Sequence, residues 1–230
     1  MDIKENIKTV LNKISAAQER RCGKSKECLK TQLVAVSKTK PPELIREAME
    51  CGITVFGENR VQELLEKYDK LPGAVWHLIG HLQKNKVKYI IDKVALIHSV
   101  DSTELAKEID KYARKIGKIQ EILLQVNISG EESKFGMEKS DVLNACREIS
   151  GLENVKVKGF MTMAPKNAPE DELRKIFGGL LNFSLEIENE HIENIETKCL
   201  SMGMSGDFEI AVEEGATLVR IGSGIFGERK

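Results

Sequence analysis

At 230 residues the chain is long enough for one full core, and 35 Lys and Arg against 36 Asp and Glu leave a net charge of −1, so bulk charge points to neither nucleic acid nor an anionic membrane as a partner. Cys22, Cys28, Cys51, Cys146 and Cys199 include no C-x-x-C pair, which argues against a disulfide frame or a zinc site and reads as free thiols in a reducing compartment. The first residues are charged and amphipathic, without a secretory signal, and no apolar run is long enough to span a bilayer, so a cytoplasmic location is expected.

Helix and strand patterns alternate along the chain. Ile3, Ile7, Val10, Leu11 and Ile14 recur at helical spacing and predict an amphipathic helix over residues 2–20, followed by a polar loop over 22–31. The apolar run Leu33-Val34-Ala35-Val36 stops at Ser37-Lys38, and Pro41-Pro42-Glu43 opens a helix that ends before Gly52. Further strands are predicted over residues 53–56, 74–79, 94–100, 119–128, 155–160, 197–200 and 217–221. Helices are predicted up to Tyr68, after His81, behind a cap at Asp101 and Ser102, and over 142–149, 169–187 and 208–214. Eight β/α alternations predict a closed (β/α)8 TIM barrel occupying residues 1–230 as one domain.

In a barrel, the residues at the strand exits meet at one mouth. Here they are Lys38, Glu58, Asn59, His81, Asn127, Met163, Ser201 and the turn from Arg220 to Gly224. They are neither the paired carboxylates of a glycosidase nor a set with metal-ligand spacing. Lys38 has two employments open to it, as a cation for an anionic ligand or as an amine forming a Schiff base. The last two exits are rich in glycine and serine, so backbone N–H groups and the hydroxyls of Ser201, Ser205 and Ser223 can meet a phosphate. Gly222, Gly224 and Gly227 also match G-x-G-x-x-G, but three residues remain after Gly227 and the helix and strand of a dinucleotide fold have no room. His77 and His81 lie on a strand ending in glycine, too far apart to chelate one ion, and read as structural.

Several motifs stand together in order: LVAVSKTKP at residues 33–41, FGENRVQE at 56–63, HLIGHLQ at 77–83, Val126-Asn127-Ile128 with ESKFG at 132–136, LSMGMSGD at 200–207 and VRIGSGIFG at 219–227. In these motifs the sequence resembles the pyridoxal 5′-phosphate homeostasis protein family, also called YggS or PROSC. The resemblance implies a fold-type III, alanine racemase N-terminal-domain-like barrel that holds pyridoxal 5′-phosphate (PLP) for homeostasis, without established turnover. It implies that Lys38 forms the Schiff base and that Asn59 lies near the ring. Ser201, Gly222 and Ser223, with backbone around Gly224, would hold the phosphate, and Arg220 would face the pyridine nitrogen. An arginine there donates to an unprotonated nitrogen and leaves a weak electron sink, which suits a carrier. The alternative is a PLP-dependent enzyme such as a weak amino-acid racemase. Its second base would be a tyrosine from a C-terminal domain, whereas Tyr68, Tyr89 and Tyr112 fall on predicted helices. The partners implied are PLP and, transiently, apo-PLP enzymes, with the protein itself a monomer.

Overall fold

The computed structural model of the chain describes residues 2–22, 29–130 and 136–227. Cys28, most of the predicted 22–31 loop and residues 132–135 of the fourth motif lie outside them. The strands are β1 (Gln32–Val36), β2 (Val55–Glu58), β3 (Val75–Leu78), β4 (Val94–Val100), β5 (Gln120–Asn127), β6 (Met137–Glu138), β7 (Val155–Met161), β8 (Ile195–Met204) and β9 (Leu218–Ile221). All but β6 form one parallel wall in chain order. β9 returns to β1 through pairs such as Leu33 with Val219, which closes an eight-stranded barrel. The short β6 only extends the exit of β5.

The helices are α1 (Ile3–Cys22), α2 (Pro42–Glu50), α3 (Val61–Tyr68), α4 (Thr103–Lys115), α5 (Lys139–Ser150), α6 (Glu170–Glu188), α7 (Phe208–Glu213) and α8 (Ser223–Phe226). Their apolar stripes cover the outside of the barrel. Ile3, Ile7, Val10 and Ile14 of α1 join the same core as Ile45 of α2 and Leu64 of α3. Ser102 caps α4 by accepting the Leu105 N–H at 3.3 Å, while Pro42 at the first position of α2 gives up an amide hydrogen that the helix start leaves unpaired.

Three expectations are corrected, and one, on the chain after β9, is made more exact. The helix after His81 is a 3-10 segment, Lys84–Tyr89, because a six-residue polar stretch buries only Val87 and supplies no stripe for an α-helix. The seventh barrel strand continues past Leu200 to Met204, since Ser201, Met202 and Gly203 are buried within the wall rather than looped out of it. The chain after β9 does turn helical, with the N–H groups of Ile225 and Phe226 returning to Gly222, but for a single turn that stops at Gly227 with φ 72°. Finally, Cys51, Cys146 and Cys199 are free thiols, whereas Cys22 is disulfide-bonded. No described helix is long and apolar enough to cross a membrane.

Candidate ligand-binding site

The strand exits open on a cavity of about 360 Å³, a size that suits a small ligand. Lys38 and Asn59 line it from the exits of β1 and β2, and Arg220, Gly222 and Ser223 from β9 and the turn beyond. Met163, Met204 and Ser205 complete the side formed by β7 and β8.

The layering follows from the strand period of two. Val34, Val55, Leu96, Leu123, Met161 and Leu218 form an apolar cluster inside the barrel. A residue two places further along each strand stands on the same face, one layer nearer the mouth. Leu218 is therefore followed by Arg220 and Leu96 by His98, buried to 4% and 0% exposure. These side chains form a polar layer. Arg220 Nη1 donates to Ser201 Oγ at 2.5 Å and Nη2 to the Thr162 carbonyl at 3.0 Å. Ser201 Oγ lies 2.9 Å from His98 Nδ1, and His98 Nε2 lies 3.0 Å from His77 Nδ1.

A guanidinium can only donate, so one assignment gives each proton an acceptor: Arg220 donates to Ser201, Ser201 to His98 and His98 to His77. Both imidazoles are then neutral. Burial supports this by lowering the His77 pKa to about 4, and burial with the neighbouring His77 and Arg220 charges lowers that of His98 well below its usual value. Arg220 is pushed down to about 10 by burial, with Asp207 opposing the shift, and it stays a cation at neutral pH.

The two histidines make the fold acid-sensitive. Their folded pKa values lie below the unfolded value of about 6.5, so the native state binds fewer protons there and loses stability as pH falls from about 6.5 toward 4. For His77 alone the loss is on the order of 3 kcal/mol. Melting temperatures recorded across that range should fall steeply for the natural chain and more gently for His77→Phe. Parallel profiles would assign the acid limb to other groups.

Several expected mouth residues stand elsewhere. Ser201 is not on the cavity wall. It is fully buried in the polar layer, because β8 runs three residues beyond it, and Ser205 occupies the exit instead. Ser205 Oγ accepts the N–H groups of Gly222 at 3.3 Å and Gly224 at 3.4 Å. Glu58 turns away from the mouth into the helix layer, where it meets Ser37 and Lys67. Asn127 braces the loop after β5, accepting from Ser129 and Gly130 through Oδ1. His81 pairs with Asp101 at 3.2 Å, while His77 points inward to His98. Tyr68, Tyr89 and Tyr112 are absent from the cavity wall.

The wall chemistry suits a ligand with an electrophilic carbonyl, a hydrogen-bond acceptor and an anionic group. Lys38 brings an amine, Arg220 a buried donor, and the turn at Gly222 and Gly224 two N–H groups that meet at one point. The buried Oδ1 of Asn59, on the same wall, has no hydrogen-bond partner, which marks a polar position that a ligand or water can fill. Lys40, also on the wall, donates to the carbonyls of Phe226 and Gly227 at 2.9 and 3.2 Å, tying α8 to the loop after β1.

A closed parallel barrel with a lysine at its first strand exit and a glycine-serine turn at its last is a racemase-type barrel: residues 6–230 match the family described as "Alanine racemase, N-terminal domain". The "Pyridoxal phosphate homeostasis protein" of Aquifex aeolicus (strain VF5) is 47% identical over 232 residues, covering 100% of both chains. PipY of Synechococcus elongatus PCC7942, solved with PLP bound, matches with a TM-score of 0.86 at 34% identity over 98% of this chain and 100% of that one. The alanine racemase of Clostridium difficile 630 shares the fold, with a TM-score of 0.77 at 14% identity over 98% of this chain and 57% of that one. The chain belongs to the pyridoxal phosphate homeostasis protein family.

Proposed function

We propose that this protein binds PLP and serves its homeostasis inside the cell, holding the cofactor covalently on Lys38 and giving it up to apo-PLP enzymes. The carrying observation is the convergence of Lys38, Arg220 and the Gly222–Gly224 turn on one cavity. Bound PLP supplies an electrophilic aldehyde, which the Lys38 amine takes up with loss of one water. A guanidinium can only donate, so Arg220, held by Ser201 and Thr162, would offer a remaining N–H to the ring nitrogen. The N–H groups of Gly222 and Gly224, with the hydroxyls of Ser205 and Ser223, hold the phosphate, and Asn59 lies beside the ring. The functional unit is one barrel over residues 1–230 with its N-terminal helix, acting as a cytoplasmic monomer.

The test is titration of the purified protein with PLP, followed by absorption, borohydride reduction and peptide mass mapping. A stoichiometric adduct on the Lys38 peptide is expected, and no adduct at excess PLP would sink the reading. The assignment of the phosphate to Ser205 rather than Ser201 has its own expected result. Ser205→Ala should weaken pyridoxamine 5′-phosphate binding about tenfold. The variant loses a charge-assisted hydroxyl contact, worth about 1.5–3 kcal/mol, and frees two long neutral bonds that return less. Ser201→Ala should weaken that binding less than Ser205→Ala does, since the serine lies below the wall and reaches the ligand only through Arg220, which keeps its bond to the Thr162 carbonyl. Isothermal titration calorimetry distinguishes the two.

A further inference from the structure

A second group of buried charges stands directly behind the lysine. Lys67, on α3, is 5% exposed and uses all three ammonium protons. It donates to the Ser37 carbonyl at 2.8 Å, to Glu58 Oε1 at 2.8 Å and to Glu63 Oε1 at 2.7 Å. Ser37 Oγ also donates to Glu58 Oε1, at 2.7 Å. The Thr39 N–H donates to Glu63 Oε1. The cluster therefore grips the backbone on both sides of Lys38.

What it grips is a tight turn. The Lys40 N–H returns to the Ser37 carbonyl at 3.0 Å, and Thr39, at the third position, has φ 64°. A negative φ followed by a positive one is the type II pattern, which favours glycine or asparagine at that third position. A β-branched threonine there is a backbone outlier and persists only where the surroundings over-determine it. The Lys67 bond to the residue before Lys38 and the Glu63 bond to the residue after it supply that constraint.

The cluster is a costly way to stabilise a fold. Glu58 is fully buried, its Oε2 has no partner, and burial raises its pKa against the lowering effects of Lys67 and Ser37. A buried ion pair often adds less stability than an apolar replacement of the same volume. Its retention directly behind the mouth lysine fits a role in geometry.

Taking the PLP reading as its basis, we infer that Glu58, Glu63 and Lys67 are positioning residues that hold the Ser37–Lys40 turn so that the Lys38 amine is presented to the cavity. None of the three lines the cavity itself. Misplacing an attacking group by about 1 Å costs on the order of 100-fold in rate, whereas ligand contacts on the far wall are untouched. The inference therefore separates attachment from binding.

The experiment compares two probes on the full chain: PLP, read as the rate of borohydride-fixable attachment to Lys38, and pyridoxamine 5′-phosphate, which has an amine in place of the aldehyde and reports only non-covalent binding. Lys67→Met should slow attachment on the order of tenfold to 100-fold and leave pyridoxamine 5′-phosphate affinity within about twofold. Should Lys67→Met fail to fold, Glu63→Ala tests the same point from a partly exposed position, and Glu63→Gln, which keeps an acceptor for Thr39, should restore the rate. Equal losses for both probes, or an unchanged attachment rate in Glu63→Ala, would overturn the inference. Failure of the natural chain to attach PLP at all would instead overturn the functional reading on which it rests.

Discussion

Lys38→Ala is expected to abolish borohydride-fixable attachment of PLP and to leave a reversible complex about 100-fold weaker, a loss of roughly 2.7 kcal/mol. On the proposed site the loss is not total, because Arg220, Gly222 and Ser223 remain on the cavity wall. Dialysis of the loaded variant should strip the ligand, while the natural chain retains it. Lys40 is the other amine of the wall, yet it is turned to the carbonyls of Phe226 and Gly227. A stoichiometric adduct mapping to Lys40 in the variant would show that those carbonyls surrender it, and would count against Lys38 as the unique anchor.

The second large effect is on folding. At Gly159 of β7 an added Cβ would lie 2.0 Å from the Cys199 carbonyl oxygen, and the backbone holds φ at 148°. Gly159 is paired with Cys199 in the register of β7 on β8, so relief requires the two strands to part. Those strands carry Ser201 and the chain up to Ser205, and the wall has no slack to give. Gly159→Ala should cost about 3–5 kcal/mol, at the severe end for a single methyl. Gly151→Ala is the control. It lies at the end of α5 with φ −79°, its nearest neighbour would be 3.8 Å away, and its effect should stay within about 0.5–1 kcal/mol of neutral. Urea midpoints of the two variants decide the matter; similar midpoints would mean that the β7–β8 seam adjusts.

The barrel was legible because strands of a parallel barrel are largely buried and so read as apolar runs, as at residues 33–36 and 94–97. Lys38 and Arg220 could be singled out because each is charged and sits at or near the end of such a run. Ser201 misled because serine and glycine in 201–206 resemble a loop, while tertiary pairing carries β8 through four of those six residues. Counting two residues along each strand from the apolar layer is the signal that could have placed it: Ser201 follows Cys199, which packs against that layer. The chain of contacts from Arg220 to His77 was out of reach, because it joins β9, β8, β4 and β3 across a closed wall whose register no local pattern records. Glu58 looked like a mouth residue for the same reason. Its neighbour Asn59 does face the cavity, and only the pleat decides which of two consecutive polar residues turns inward.

The Ser205 hydroxyl already satisfies the amides of Gly222 and Gly224 before any anion arrives. On the proposed site, loading would therefore be a substitution, in which phosphate oxygens displace an internal acceptor and the displaced oxygen turns to become a donor. Each amide exchanges one partner for another, so only the difference between the two bonds contributes to affinity. The reverse exchange is eased equally, because a departing anion leaves no orphaned amides behind it. A site with a built-in occupant of this kind returns its cargo at small cost, and the protein's hold on the cofactor can be dominated by the chemistry at Lys38.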